Sequence, residues 1–231
     1  MSQALPGVDA LTRAEIPSVL SGYIKKGAWN KADILLVALS EGQFAVKDYA
    51  SKSLPIRWSG AVQLAREARA YHKLGGVAGV PRFYRTLDRH AIIIEYVGGM
   101  RLPKYHARHG GVPRVAERIG ELLDRVHERG IIHGDLRSRD NILVTPGGDL
   151  YLIDFSSAAV FKPGTWARRV LYPRLKRAEE KALLKWKVAL VPEELTPEEL
   201  ASHRRFKRLR RLWPFNRKKD LPRTRGRNPL L

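Results

Sequence analysis

Apolar positions in the first part of the chain follow a strand-like pattern. ILLVAL (34–39) and QFAVKDY (43–49) flank a Glu41-Gly42 turn and predict a β-hairpin, inside a strand-like stretch from about residue 23 to 50. VPRFYRTLD and AIIIEYV (91–97) predict two further strands around the Asp88–His90 turn. These segments together indicate a small sheet.

Two segments change to a helical period. Residues 59–74 carry one apolar face and end at Gly75-Gly76, and residues 114–130 carry a second that ends at Gly130. The predicted faces consist of Ala61, Leu64, Ala65, Ala68 and Tyr71 in the first helix, and of Val115, Ile119, Leu122 and Val126 in the second.

The order of these elements predicts an α+β fold with a mostly β lobe followed by a mostly helical one, joined at a Gly98-Gly99 hinge. We expect four regions. They are a flexible leader (1–17), a β-rich lobe with one helix (18–97), a helical lobe (98–190) and a basic tail (191–231).

Composition narrows the possible functions. The 231 residues include no cysteine, which excludes disulfides and thiolate chemistry. No apolar run approaches the roughly 20 residues of a membrane span, and the first residues do not resemble a signal peptide. We therefore expect a cytoplasmic protein. Its net charge of +20, concentrated in the tail, predicts attraction to polyanions, and a solvated tail is the alternative.

The stretch IIHGDLRSRDNILV followed by LYLIDF, within residues 131–155, carries the candidate chemistry. Phosphoryl transfer needs a carboxylate to orient the acceptor hydroxyl and oxygen ligands to hold Mg²⁺ against phosphates. The string resembles the catalytic loop and metal-binding strand of the protein-kinase-like superfamily. The resemblance implies a bilobal kinase-like fold with a minimal C-lobe and a basic helical C-terminal extension.

That resemblance also implies residue roles. Asp135 would be the catalytic aspartate, His133 would organise the loop, and Arg137 would contact the γ-phosphate. Asn141 and Asp154 would bind the metal. Five residues separate Asp135 from Asn141 where kinases usually have four, so Asp140 is a rival to Asn141 as metal ligand.

FAVKDY resembles the kinase strand whose lysine holds the α- and β-phosphates of ATP, which nominates Lys47, and Glu67 is placed to pair with it. Gly27 lies where a phosphate-covering loop belongs. The hinge Ile94–Val97, with Glu95 and Val97, would bind adenine. The implied cofactors are ATP with Mg²⁺ or Mn²⁺.

Several departures argue against a signalling protein kinase. Gly134 replaces the arginine that receives an activation-loop phosphate, Ser156 replaces a glycine, and no Ala-Pro-Glu element follows. His-Gly-Asp is typical of RIO-type, aminoglycoside-type and lipopolysaccharide-core sugar kinases. We favour a core sugar (Kdo or heptose) as the acceptor. A serine/threonine protein acceptor of RIO-like type is the alternative, and a pseudokinase scaffold is a second one.

The end of the chain bears on the partner. Residues 167–190 predict one or two basic helices that pack through Leu171, Leu175, Ala178, Ala182 and Trp186. If residues 203–215 form a helix, Phe206, Leu209 and Trp213 lie among arginines, which suits an anionic membrane interface. Peripheral association with the inner face of the membrane is thus one expectation, a docked and solvated tail is the other, and nucleic acid ranks lower.

Overall fold

A computed structural model describes residues 5–192, 195–199 and 201. Five antiparallel strands form the first sheet: β1 (Leu20–Lys25), β2 (Asp33–Leu39), β3 (Gly42–Asp48), β4 (Phe83–Asp88) and β5 (Ala91–Glu95). Their order in the sheet is β1-β2-β3-β5-β4. The predicted hairpin is confirmed, with Leu39 opposite Gly42 at its turn and Ile34 opposite Lys47.

Helix α2 (Leu54–Lys73) lies between β3 and β4 in the chain. It begins five residues before the predicted start because Pro55 is tolerated in the first helical turn, after Ser53 at the N-cap. Its buried face is also turned relative to the prediction. Leu64 and Tyr71 are buried as expected, but Ala65 is exposed and Glu67 takes a place in the interior.

The second half contains most of the helices. These are α3 (Leu102–His109), α4 (Val115–Glu128), α5 (Trp166–Val170) and α6 (Tyr172–Leu190). Two small sheets join them, one of β6 (Met100–Arg101), β8 (Ile142–Val144) and β9 (Leu150–Leu152), and one of β7 (Ile131–Ile132) and β10 (Ala159–Val160). Ile119, Leu122 and Val126 of α4 are buried in the largest core cluster, as their spacing predicts.

The segment predicted to be a flexible leader is instead packed where the structure describes it. Val8, Leu11 and Ile16 join the core cluster of the first sheet, and a short helix α1 (Ile16–Val19) leads into β1. Arg13 bridges Asp48 at 2.9 Å and also pairs with Asp88. Apolar positions separated by polar ones allow the segment to lie along the sheet and bury one side.

Residues 167–190, predicted to form one or two basic helices, form two, α5 and α6, but their packing face differs from the prediction. Ala182 and Trp186 are buried, whereas Leu171, Leu175 and Ala178 are exposed. The face that packs inward includes Glu179, which is buried. A polar anchor in the interior therefore sets the rotation of α6, and apolar periodicity alone does not reveal it.

None of the helices in the described ranges is long and apolar enough to span a membrane. Residues 195–199 and 201 belong to a second unit of the chain. There the Thr196 amide donates to Glu199 at 2.8 Å, an N-terminal helix cap. The predicted basic helix at 203–215 lies outside the described residues.

Candidate active site

Lys47 of β3 stands at the centre of the site. Its Nζ atom lies 2.7 Å from Oε2 of Glu67 on α2 and 2.8 Å from Oδ1 of Asp154, which follows β9. Glu67 is buried at 1 % exposure, while 44 % of the Asp154 side chain is exposed. The structure thus brings together three predicted site residues that are separated by up to 107 positions.

Burial and neighbouring charges shift the pKa values of Lys47, Glu67 and Asp154 in opposite directions. Burial lowers the pKa of Lys47, but the carboxylates of Glu67 and Asp154 outweigh it, so the pKa is raised and the ammonium stays charged. Burial raises the pKa of Glu67 against the attraction of Lys47. Burial also disfavours the charged form of Asp154, yet Lys47 holds the pKa of Asp154 well below its usual value. A fixed cation beside an ionised carboxylate is therefore the electrostatic core of the site.

The loop predicted to be catalytic runs from β7 to β8 and brings Asp135 against Asn141. Nδ2 of Asn141 donates to the Asp135 carbonyl at 2.9 Å and to Oδ2 of Asp135 at 3.1 Å. The additional residue of this loop is absorbed by two tight turns, in which Ser138 bonds Asp135 and Asn141 bonds Ser138 through their backbones. The longer spacing therefore leaves Asp135 and Asn141 in contact.

Asp140, the rival to Asn141, is directed elsewhere. Its carboxylate lies 3.5 Å from Arg101 and is 59 % exposed, and Arg101 also donates to the Asp140 carbonyl at 3.1 Å. Asn141, by contrast, is buried beside Asp135. This geometry favours Asn141 over Asp140 as a metal ligand, and the ligand assignment stays a prediction.

His133 joins the two halves of the site. Nε2 lies 3.0 Å from the carbonyl of Ile153, next to Asp154, and Nδ1 is 3.3 Å from the amide of Asp135, which donates to it. A single neutral tautomer, protonated at Nε2, satisfies both contacts. Burial lowers the pKa of His133, which agrees with a neutral ring. The contacts fit the loop-organising role predicted for it.

Gly134 has a structural reason to be glycine. Its φ is +83°, and a Cβ atom there would lie 2.3 Å from the carbonyl oxygen of Ser157. The arginine found here in many kinases therefore cannot fit without moving the chain around Ser157.

Other predicted residues are less closely tied to this centre. Gly27 sits in the β1–β2 turn, where a Cβ would clash with the carbonyls of Lys31 and Ala32, and its amide donates to Asp33 at 2.9 Å. Glu95 is bonded to the backbone of Arg82, through both its amide and its carboxylate. Val97 is half-buried and Arg137 is exposed. Their roles toward ATP remain predictions.

Glu179 of α6 is a site residue that the sequence analysis missed. Oε1 accepts a hydrogen bond from the amide of Gly134 at 2.7 Å, and Oε2 lies 2.8 Å from Nε2 of His127 on α4. Tyr172 adds a 2.6 Å bond to the His127 carbonyl. Because its partners lie 45 and 52 residues away, no local pattern could have identified Glu179.

Lys25 of β1 was also missed. Its pKa is lowered by partial burial and by repulsion from Arg101 and Lys31, against the attraction of Asp154 and Asp140. A lysine between Ile24 and Lys26 at the end of an edge strand carries no sequence signal for such a position.

The arrangement fits a divalent metal and a triphosphate. Asn141 directs its NH₂ group to Asp135, which leaves its amide oxygen available as a ligand, and the exposed part of the Asp154 carboxylate offers another oxygen. Such oxygen donors suit Mg²⁺ or Mn²⁺. Lys47 adds a fixed positive charge for phosphate oxygens.

Comparison with known proteins places this geometry in context. Residues 41–168 match the RIO domain family. The chain is similar to the KEOPS complex subunit Bud32 of Pyrococcus abyssi, with 32 % identity over 179 residues that cover 71 % of this chain and 78 % of the relative.

Two other relatives match over shorter segments. A 3-deoxy-D-manno-octulosonic acid kinase of Xylella fastidiosa is 36 % identical over 38 % of this chain and 35 % of its own length. A probable bifunctional tRNA threonylcarbamoyladenosine biosynthesis protein of Methanosarcina acetivorans is 48 % identical over 35 % of this chain, but over 14 % of the relative. The chain thus spans most of the first relative and a minor part of the other two.

Proposed function

Because this chain belongs to the RIO domain family of protein-kinase-like proteins, we propose that it transfers the γ-phosphate of ATP to an alcohol group with the help of Mg²⁺, through Asp135, Asn141 and Asp154. It is a kinase by family and by its resemblance to kinases. The residue assignments, the metal and the acceptor are parts of the proposal.

The observation that carries the proposal is the position of Lys47 between Glu67 and Asp154. A buried lysine held by two carboxylates has its ammonium fixed in place before any ligand arrives. A chain that had lost phosphate chemistry would have no need to bury the charges of Lys47 and Glu67 beside Asp154, since such burial is costly.

Each residue then has a defined task. Lys47 orients the phosphates, Glu67 holds Lys47, and Asn141 and Asp154 present oxygen ligands. Asp135, positioned by Asn141, accepts the proton of the acceptor hydroxyl. When bound, the metal neutralises charge on the phosphates. His133 and Glu179 keep the loop in the geometry that this transfer requires.

A saccharide hydroxyl of the lipopolysaccharide core is the acceptor we favour. Similarity to 3-deoxy-D-manno-octulosonic acid kinases of Xylella fastidiosa and Xanthomonas axonopodis supports it. The short segment between Asp154 and α5 also supports it, because little chain is available there to bind an extended polypeptide. Action at the inner face of the membrane would follow from a lipid-linked acceptor.

A serine or threonine hydroxyl of a protein is the second candidate. The match to Bud32, a subunit of a complex, extends over 71 % of this chain, more than the saccharide-kinase match. The match to the RIO domain family supports a protein acceptor of RIO-like type, whereas the short segment between Asp154 and α5 supports a sugar.

Radiolabelled phosphate transfer separates these candidates. The full chain is incubated with γ-labelled ATP and Mg²⁺, with Kdo-bearing lipid A or with casein as acceptor, and Asp135→Asn serves as control. Label in the saccharide supports the favoured acceptor, and label in casein supports the second. Equal ATP turnover in wild type, Asp135→Asn and Asp154→Ala would overturn the enzymatic proposal.

A further inference from the structure

Large apolar side chains are exposed in unusual density at one end of the β-rich lobe. Trp29 is 76 % exposed in the β1–β2 turn, and Leu54 and Trp58 on α2 are 70 % and 75 % exposed. Val62 on α2 and Tyr23 and Ile24 on β1 are exposed as well. Scattered apolar residues on a surface are ordinary, but two nearly uncovered tryptophans in neighbouring segments are not.

The α2 residues form a single stripe. Leu54, Trp58 and Val62 follow one another at intervals of four residues, so they lie on one side of the helix. The buried residues Gly60, Leu64, Glu67 and Tyr71 occupy the opposite side, which faces the sheet and Lys47. The stripe is therefore not needed for the core.

Hydrogen bonds join the Trp29 turn to the start of α2. Lys52 lies 2.9 Å from Asp33 and donates to the Gly27 carbonyl at 3.4 Å, and Ser51 donates to Asp33 at 2.7 Å. These contacts hold the turn against the residues that immediately precede Leu54. We refer to Trp29, Leu54, Trp58 and Val62 together as the Trp29–Trp58 surface.

The charge around this surface is mostly positive, with Asp33 as an adjoining carboxylate that pairs with Lys52. Residues 20–32 and 50–66 contain no aspartate or glutamate, and their basic residues are Lys25, Lys26, Lys31, Lys52, Arg57 and Arg66. Lys26 lies over the ring of Tyr23, with Nζ 4.7 Å from the centroid. Indole rings with lysines and arginines around them match the interface of an anionic bilayer.

We propose that the Trp29–Trp58 surface docks this kinase onto anionic lipid, with the tryptophans in the interfacial region and the surrounding cations against phosphate headgroups. Aliphatic side chains such as Leu54 and Val62 gain from lipid contact but cannot stack on nucleic-acid bases, so a bilayer fits better than RNA. The inference concerns binding alone and does not depend on the acceptor.

Vesicle sedimentation tests it with the full chain, without nucleotide. Vesicles of phosphatidylcholine with about 30 % phosphatidylglycerol, which gives them a negative surface charge, are compared with vesicles of phosphatidylcholine alone. We expect wild type to bind only the anionic vesicles, Trp29→Ser/Trp58→Ser to bind at least about tenfold more weakly, and Lys31→Gln about fivefold more weakly.

The matched control is Trp166→Ser, which removes a tryptophan that is 68 % exposed and lies outside the surface beside Arg168 and Arg169. It should bind as wild type does. All variants keep the basic tail, so a loss of binding reports on the surface. Unchanged melting temperatures show that the variants are folded, as expected for exposed side chains.

The proposal fails if wild type does not bind anionic vesicles, if it binds neutral vesicles equally, or if the double variant binds like wild type. Equal loss in Trp166→Ser also overturns it. Light scattering provides a further test. If wild type is a dimer and Trp29→Ser/Trp58→Ser a monomer, a second copy covers the surface and the lipid proposal is wrong.

Discussion

Glu179 and His127 face each other at 2.8 Å in the interior of the helical lobe, although they lie on different helices. The other oxygen of Glu179 binds the amide of Gly134, directly before Asp135. One buried carboxylate thus connects the two main helices of this lobe to the loop that carries the proposed catalytic aspartate.

Removing this carboxylate should impair transfer more than it impairs nucleotide binding. In Glu179→Ala the Gly134 amide loses its acceptor, which costs about 1–3 kcal/mol of stability, and a displaced loop lowers kcat by roughly 10- to 100-fold at unchanged KM for ATP. Steady-state kinetics and thermal unfolding measure both effects.

Two variants control this experiment. Glu179→Gln keeps an oxygen for the Gly134 amide and should restore most of kcat, and Glu180→Ala removes an exposed neighbour. If Glu179→Ala lowers stability while kcat stays at the wild-type value, Glu179 does not position the loop.

Asp135→Asn should reduce phosphate transfer by roughly 10²- to 10⁴-fold, the usual contribution of a general base. Asparagine keeps an oxygen for Asn141, so the loop is preserved and the affinity for ATP should change little. Single-turnover transfer and fluorescent-nucleotide binding are compared with Asp124→Asn, which alters an exposed carboxylate on α4. Transfer at the wild-type rate would exclude Asp135 as the base.

Alanine substitutions distinguish the two possible metal ligands of the loop. Asp154→Ala and Asn141→Ala should each abolish Mg²⁺-dependent turnover or greatly raise the Mg²⁺ concentration it needs. Asp140→Ala should retain activity within about tenfold, since Asp140 pairs with Arg101 on the exposed side of the loop. Titration of turnover with Mg²⁺ measures this. If Asp140→Ala abolishes Mg²⁺-dependent turnover while Asn141→Ala retains it, the metal ligand is Asp140 and not Asn141.

His133 should make stability depend on pH. The folded chain holds its pKa below the ordinary 6.5, so the unfolded chain binds the proton more readily. Stability is then lost as pH falls from 7 toward 5, by up to about 1.4 kcal/mol per pH unit. The pKa of Glu67 is raised in the folded chain, so its protonation has the opposite effect and adds stability as the pH falls through part of this range.

Denaturant unfolding across pH isolates the histidine when wild type is compared with His133→Gln. The difference between their free energies of unfolding should shrink on acidification. His72→Gln, an exposed position on α2, should keep the wild-type slope. A constant difference between wild type and His133→Gln would show that His133 does not titrate in this window.

Short-range order made much of the fold predictable. The hairpin that carries Lys47 is set by alternating residues on either side of one turn, and the spacing of Glu67 follows from the helix after it. The family string then located Asp135, Asn141 and Asp154. Each of these predictions rests on residues that are close together in the sequence.

Contacts between residues far apart in the chain could not be predicted from the sequence. A glutamate on a strongly basic helix resembles a solvated residue, and only the approach of α4 and the loop makes Glu179 interior. The same packing turned Leu171 and Leu175 outward. Val8 and Leu11 are buried against the first sheet, and the nearby Arg13 pairs with Asp48 and Asp88 on two strands of that sheet, contacts that no local pattern predicts.

The backbone at Gly134 bears on how this enzyme is controlled. Since any side chain there would meet Ser157, a single substitution cannot restore the arginine through which many kinases sense a phosphorylated loop. Control by a covalent on-switch at that position is closed to this chain.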